Sequence, residues 1–267
     1  IIEVEPKERV DSSTLRYNMA TSKGAQRRLI LPKLEKGGRV YALVGTDVDY
    51  PIQTTTLDVE LISKGRNIGN RESFNIPILD RKFRKEYLES SNVENASPET
   101  SEDVASQQRE TRILYPSWNG ITNGKYVQDG FKLPIPECNP ESFGSRRFYD
   151  EIERSPHRGI DCKGNVGDLI FAPMSGIVKL VERDFFYMGN TVTLDHGLGL
   201  HTLYAHMGEQ RVKQGQSVKV GDSLGKIGRT GRTSGPHLHW QAKLYGGKLL
   251  AMNMDPMSLE VLNSVFP

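Results

Sequence analysis

Two histidines stand one residue apart in "SGPHLHW" (234–240), as His237 and His239. Side chains alternate along a strand, so an H-x-H pair in extended chain presents both imidazoles to one face. A second pair, His157 and Asp161, stands in "PHRGID" (156–161), where Pro156 and Gly159 argue against a helix. A turn entering a strand can still bring these two side chains to one point. Two imidazoles and a carboxylate form the donor set of a catalytic zinc site, which leaves its fourth position to water. All six histidines (His157, His196, His201, His206, His237 and His239) fall in the second half of the chain. That is more than core packing usually asks of one domain, and zinc is the first chemistry to test.

The remaining histidines are sorted by parity. If "LHTLYAHM" (200–207) is one continuous strand, His206 shares a face with Thr202 and Tyr204 while His201 points the other way. His201 and His206 then serve different places unless a bulge intervenes. Tyr204 reads as core. Asp195 and His196, at a strand end before Gly197, read as a solvated turn, and Arg146 and Arg147 as a solvated or groove-rim pair.

The elements that must carry these residues are mostly strands. From about residue 130 the chain is Gly-rich, and "SGIVKLV", "NTVTLDHG", "HTLYAHM", "QSVKVGDSLGKIG" and "PHLHWQAKL" follow one another with Gly or Pro at most joints. This predicts an all-β domain over 130–267, with one or two helical turns in "DPMSLEVLNSVF" at its end. Residues 1–88 also read as β-structure. "GRVYALVGTDVDYP" (38–51) is apolar, and "TTTLDVELIS" (54–63) alternates with Leu57, Val59 and Leu61 on one face. "RESFNIPIL" (71–79) alternates more weakly around Phe74, Ile76 and Ile78. Regular turn residues suggest a small immunoglobulin-like β-sandwich. It contains no His and no Cys, so metal or thiol chemistry is not expected there. Between the two, residues 89–129 read as a polar linker. Ser97 as N-cap and Pro98 at the first helical position would open a short exposed helix, with a disordered tether as the alternative.

The totals exclude other classes. A chain of 267 residues suffices for two domains, and a net charge of +2 without a concentrated basic face argues against nucleic acid as partner. No apolar run is long enough to span a bilayer. The opening "IIEVEPKERV" has neither a Met nor an apolar leader, and reads as a mature chain whose signal peptide has gone. Cys138 and Cys162 form either one disulfide, if the protein is exported, or two buried thiols.

In order along 130–257, "SFGSRR", "HRGID", "APMSGIV", "LYAHM" and the long "VKQGQSVKVGDSLGKIGRTGRTSGPHLHW" resemble the motifs of the lysostaphin-type (LytM-like) zinc endopeptidases, which cleave peptidoglycan peptides. The resemblance implies a catalytic β-domain of the duplicated-hybrid-motif type. It also implies a Zn2+ ion held by His157, Asp161 and His239, with His206 and His237 as unligated catalytic residues. The front half looks like the β-sandwich that precedes this peptidase in many exported bacterial proteins. That implies a periplasmic or cell-envelope location, peptidoglycan peptides as substrate and a possible envelope protein partner. Glycine bridges and D-alanyl cross-links are both cut within the family. With no glycine-bridge-binding module in the chain, D,D-endopeptidase action is the expectation. Cys162 departs from the family, which has an apolar residue after the ligand Asp, and a disulfide with Cys138 is the slightly favoured reading. A catalytically silent regulator that binds the wall and activates other hydrolases is the alternative, but such relatives lose ligands, and this chain keeps the full set. Lipoyl-carrier and phosphocarrier readings of "GQSVKVGDSLGKIG" leave the His and Asp pattern unexplained.

Overall fold

The computed structural model describes residues 2–4, 13–20, 26–31, 34–36, 39–49, 54–63, 66–67, 72–88, 100–118, 120–122, 126–149, 151–153, 155–245 and 251–266. It is mostly β-strand. Near the start, a three-stranded sheet joins Ile2–Val4, Arg39–Ala42 and Leu34–Lys36, and a five-stranded sheet is built around Ser13–Ala20 and Thr54–Ser63. Leu57 is buried, as its alternation requires, whereas Phe74 is exposed.

The second half is organised by a ten-stranded sheet. Its order runs Cys138–Asn139, Ile160–Lys163, His237–Tyr245, Leu200–Gln210, Gly189–Asp195, Gly176–Phe185, Ser217–Val218, with three further strands attached. Period-two alternation fixes what each face carries. Leu238, Trp240, Ala242 and Leu244 point into the main core together with Ile160, Cys162, Leu200 and Tyr204. Each leucine or isoleucine among them, fully buried, contributes on the order of 2 kcal/mol. The residues between them, His237, His239, Gln241 and Lys243, therefore belong to the opposite face. Cys138 and Cys162 are directly paired in adjacent antiparallel strands and form a disulfide.

Part of the first half is spent on the second. Tyr41 and Val48 join the main core, and the Tyr41 ring meets Phe266 edge-on at 5.7 Å. Arg81 pairs with Asp255, and Phe83 packs on Phe143 at 6.1 Å. The strand Lys85–Leu88 runs parallel to Arg146–Tyr149. The apolar run 38–51 is thus only briefly a strand; its described remainder leaves the sheet and packs against the second half.

The longest described helix is Ser101–Ser117, of seventeen residues. Its N-cap is Thr100, which forms a capping box with Asp103. Ser97 and Pro98 lie outside the described residues. The helix is not merely exposed: Leu114 and Trp118 pack with Phe185, Leu203 and Ala205 on the second face of the sheet. At the C-terminus, 3-10 turns over Pro256–Val261 lead into a helical turn, Leu262–Val265, with Asp255 as cap.

The solvated-turn reading of Asp195 and His196 is corrected, since both are buried. His196 Nδ1–H donates to Ser175 O at 2.8 Å, and its Nε2 lies 2.7 Å from Thr202 Oγ1, which lies 2.8 Å from the Tyr204 hydroxyl. A chain from Tyr204 O–H through Thr202 O–H to Nε2 satisfies a neutral ring. Burial pushes this imidazole down to about 4.

Candidate metal centre

Three strands bring the site together. Asp161 is the cross-strand partner of His239, Lys163 of His237, and Ala205 of His239. The H-x-H pair therefore shares a face with Asp161, as its spacing requires. His157 arrives from the turn before the Ile160–Lys163 strand, and its backbone amide donates to Ser145 O at 2.9 Å. Gly159 explains the tightness of that turn. A Cβ there would stand 2.6 Å from Trp240 O and 2.9 Å from His239 Cε1, so the turn could not lie against the H-x-H strand.

Three donor atoms converge. His157 Nε2 is 3.0 Å from His239 Nδ1 and 3.2 Å from Asp161 Oδ1, and His239 Nδ1 is 3.0 Å from Asp161 Oδ1. His157 Nδ1 is 2.7 Å from Ser142 O, and a carbonyl can only accept, so Nε2 of the neutral ring holds a lone pair. Two lone-pair atoms thus aim at His239 Nδ1, and one proton there cannot serve both well. A cation serves all three. Among the described residues His239 Nε2 is buried without a hydrogen-bond partner, and the ring's polar engagement there runs through Nδ1. These residues fit a metal with the His/His/Asp set of a catalytic zinc site. The Ser142 hydroxyl also accepts the Asp161 amide at 2.9 Å. Burial alone would push the Asp161 carboxyl up, but the hydrogen bonds and charges of His157 and His239 outweigh it and hold the group well below the usual carboxylate range.

Two more imidazoles border this cluster. His237 Nε2 is 3.6 Å from Asp161 Oδ1, while its Nδ1 lies 3.0 Å from Gly235 O and 3.1 Å from Thr233 Oγ1. His206 has its ring centroid 4.8 Å from that of His237 and 6.0 Å from that of His239. Its Nδ1–H donates to Thr230 O at 2.9 Å. Burial first, and then the charges of His239 and His237, push His206 down to about 4. With Nδ1 turned to a backbone carbonyl, each ring leaves Nε2 as the atom that faces the cluster side as a potential proton acceptor.

His206 does not share the face of Tyr204 through a regular strand. Tyr204 pairs with Val192 and Met207 with Asn190, which places one extra residue on the Leu200–Gln210 strand. His206 takes φ +59° within this bulge. The left-handed conformation costs on the order of 1 kcal/mol. It is held from both sides, by His206 N donating to Met188 O at 2.9 Å and Gly228 N donating to His206 O at 3.0 Å. Gly231, at φ +73°, lets its loop close on the 187–189 turn, because a Cβ there would come within 2.3 Å of Gly189 N. His201 is the cross-strand partner of Lys243 and so lies on the face of His239, contrary to the regular-strand parity, but it sits four residues along the strand from Ala205, the partner of His239, and its Nε2 lies 3.2 Å from Gly120 O, outside the cluster.

The residues missed from the sequence act mainly through backbone atoms: the carbonyls of Ser142, Thr230 and Gly235, and the amides and carbonyls of the 187–189 turn. Glu110 also went unnoticed. It is buried in the helix, and its Oε1 accepts Tyr187 N at 2.8 Å. A glutamate on the apolar side of an otherwise polar helix was the available signal.

Residues 155–251 match the model of peptidase family M23. The chain is 29% identical over 226 residues to the peptidoglycan DD-endopeptidase ShyA of Vibrio cholerae, covering 82% of this chain and 50% of that protein. It is 39% identical over 142 residues to the peptidoglycan DD-endopeptidase ShyC of the same organism, covering 52% of this chain and 31% of that one. The chain thus spans half or less of the length of these curated relatives. A crystal structure described as a putative peptidase M23 from Pseudomonas aeruginosa shares the fold, with TM-score 0.66 and 23% identity over 97% of this chain and 91% of that one. Among the described residues, no helix is long and apolar enough to cross a membrane.

Proposed function

With residues 155–251 matching the model of peptidase family M23, we propose that the chain is a zinc-dependent endopeptidase hydrolysing the peptide cross-links of bacterial peptidoglycan, as a D,D-endopeptidase on stem peptides. One observation carries this reading. His157 Nε2, His239 Nδ1 and the Asp161 carboxylate converge, with two further imidazoles beside them. Those three residues would hold the zinc ion. When bound, zinc supplies Lewis acidity and a water of lowered pKa.

The chain's own residues do the rest. His206 and His237 offer Nε2 as the base that takes a proton from the attacking water, and between them return a proton to the amine as the C–N bond breaks. Thr230 O and Gly235 O keep each Nδ1 protonated, which fixes the tautomer and ring plane. Ser142 does the same for His157. The buried surroundings of His206 keep it from being protonated before substrate arrives. The stem-peptide specificity follows the names of ShyA and ShyC. A disulfide that ties the strand beside the H-x-H strand to the next one suits an oxidising compartment, in keeping with action in the cell envelope.

The test is a digest of purified cross-linked peptidoglycan, with muropeptides separated by mass, using wild type and His239→Ala. Wild type alone should convert D-alanyl-linked dimers to monomers, and a chelator should stop it. Dimers left intact by wild type carrying one zinc per chain would contradict the assignment.

A further inference from the structure

Beside the His/Asp cluster lies a recess of about 180 Å³ whose wall includes Asp161 and His237 together with Arg84, Glu86, Arg147 and Lys163. The sheet register assembles it. Lys163 is the cross-strand partner of His237 and stands two residues beyond Asp161, so it belongs to the face that carries the cluster. Arg147 is paired with Glu86 across the parallel strands 85–88 and 146–149. One carboxylate serves two guanidinium groups, with Arg84 Nε 3.3 Å and Arg147 Nε 3.2 Å from the oxygens of Glu86. Lys163 makes no ion pair among the described residues. Asp161 is already engaged by His157 and His239. The wall thus carries three cations against the single remaining carboxylate, an imbalance that calls for an anion.

We propose that this recess is an anion subsite that takes a free carboxylate of the substrate peptide, on the residue at the amine side of the scissile bond. Lys163 and Arg147 are its donors, and Glu86 orients the Arg147 guanidinium. An Arg fork and a Lys ammonium suit a carboxylate held next to the reacting carbonyl. A glycine bridge carries no such charge and would leave the excess positive charge of the wall unmatched, so the subsite favours stem-peptide cross-links. Arg84 and Glu86 come from before the helix, which makes the front segment part of substrate selection. The proposal rests on the endopeptidase reading for the identity of its substrate.

The experiment uses two D-alanyl-cross-linked stem-peptide dimers that differ only in a free carboxylate or a carboxamide at that residue. Binding is followed by calorimetry and cleavage by mass, for wild type, Lys163→Gln and Arg147→Gln of the full chain loaded with zinc. A charge-assisted hydrogen bond corresponds to roughly tenfold in affinity. Wild type should bind the carboxylate form about tenfold tighter, and each variant should lose most of that preference. Equal binding of the two peptides by wild type, binding of neither, or a preference that survives both substitutions would overturn the subsite. A binding preference without any cleavage would support the subsite and count against the endopeptidase reading alone.

Discussion

Gly159→Ala tests how the turn places the metal cluster. The added Cβ would lie 2.6 Å from Trp240 O, 2.7 Å from Gln241 Cγ and 2.9 Å from His239 Cε1, where ordinary contact begins near 3.4 Å. Trp240 is fully buried and its strand is paired on both sides, so the carbonyl cannot swing away. The turn must retreat by about 0.8 Å, taking His157 away from His239. Overpacking of this kind costs about 1–3 kcal/mol, which lowers Tm by roughly 3–10 °C in a chain of this size. A shift approaching 1 Å at a reacting centre costs on the order of 10²-fold in rate. The assay combines thermal unfolding, zinc content by mass spectrometry and muropeptide release. Gly159→Ala should lose stability, zinc affinity and at least tenfold in activity, by the same rule. Gly235→Ala, two residues from His237, is the matched control, because its Cβ meets nothing within 4 Å and should leave all three unchanged. If Gly159→Ala matched wild type in melting, zinc content and rate, the close-approach argument would be refuted.

The remaining predictions concern the histidines and their supports. His206→Ala and His237→Ala should each retain one zinc per chain and lose about 10²–10⁴ in kcat, measured on a soluble cross-linked dimer. His196 is pushed down to about 4 in the folded chain and titrates near 6.5 when unfolded, so the unfolded state binds the extra proton between those values. Its contribution to stability is complete above pH 6.5 and is lost as pH falls to about 4, by about 3 kcal/mol in all. Denaturant unfolding of wild type and His196→Gln across that range should show their difference narrowing toward acid. Glu110→Ala removes the acceptor of Tyr187 N and loosens the turn whose Met188 carbonyl holds the His206 amide. It should lower kcat by about 3- to 10-fold at unchanged KM and zinc content, and Glu110→Gln, which keeps an acceptor oxygen, should recover most of it.

What the sequence made legible follows from strand periodicity and from donor chemistry. The shared face of His237 and His239 needs only alternation, and the partnership of His157 with Asp161 needs only a turn that Gly159 allows. The bulge at His206 was not legible, because a non-glycine residue at positive φ leaves no mark in composition and the regular-strand reading was the simpler one. His196 went wrong for a related reason. Asp-His-Gly looks like a solvated turn until Thr202 and Tyr204, from the neighbouring strand, supply its partners. Ser97 and Pro98 suggest one helix start, whereas the described start at Thr100 uses a capping box with Asp103, a pattern equally visible in "TSED". Arg147 does stand at a groove rim, but its pairing with Glu86 joins residues far apart in the chain, and no local pattern carries that.

The central claim is that His157, Asp161 and His239 hold one zinc ion on which hydrolysis depends. Its most direct test is to strip wild-type protein with a chelator, return zinc in fractional equivalents and follow dimer cleavage at each step. Activity should vanish on stripping and rise linearly to a break at one zinc per chain, with no recovery in His239→Ala. Cleavage that persists in the stripped protein, or returns without regard to zinc stoichiometry, would contradict it.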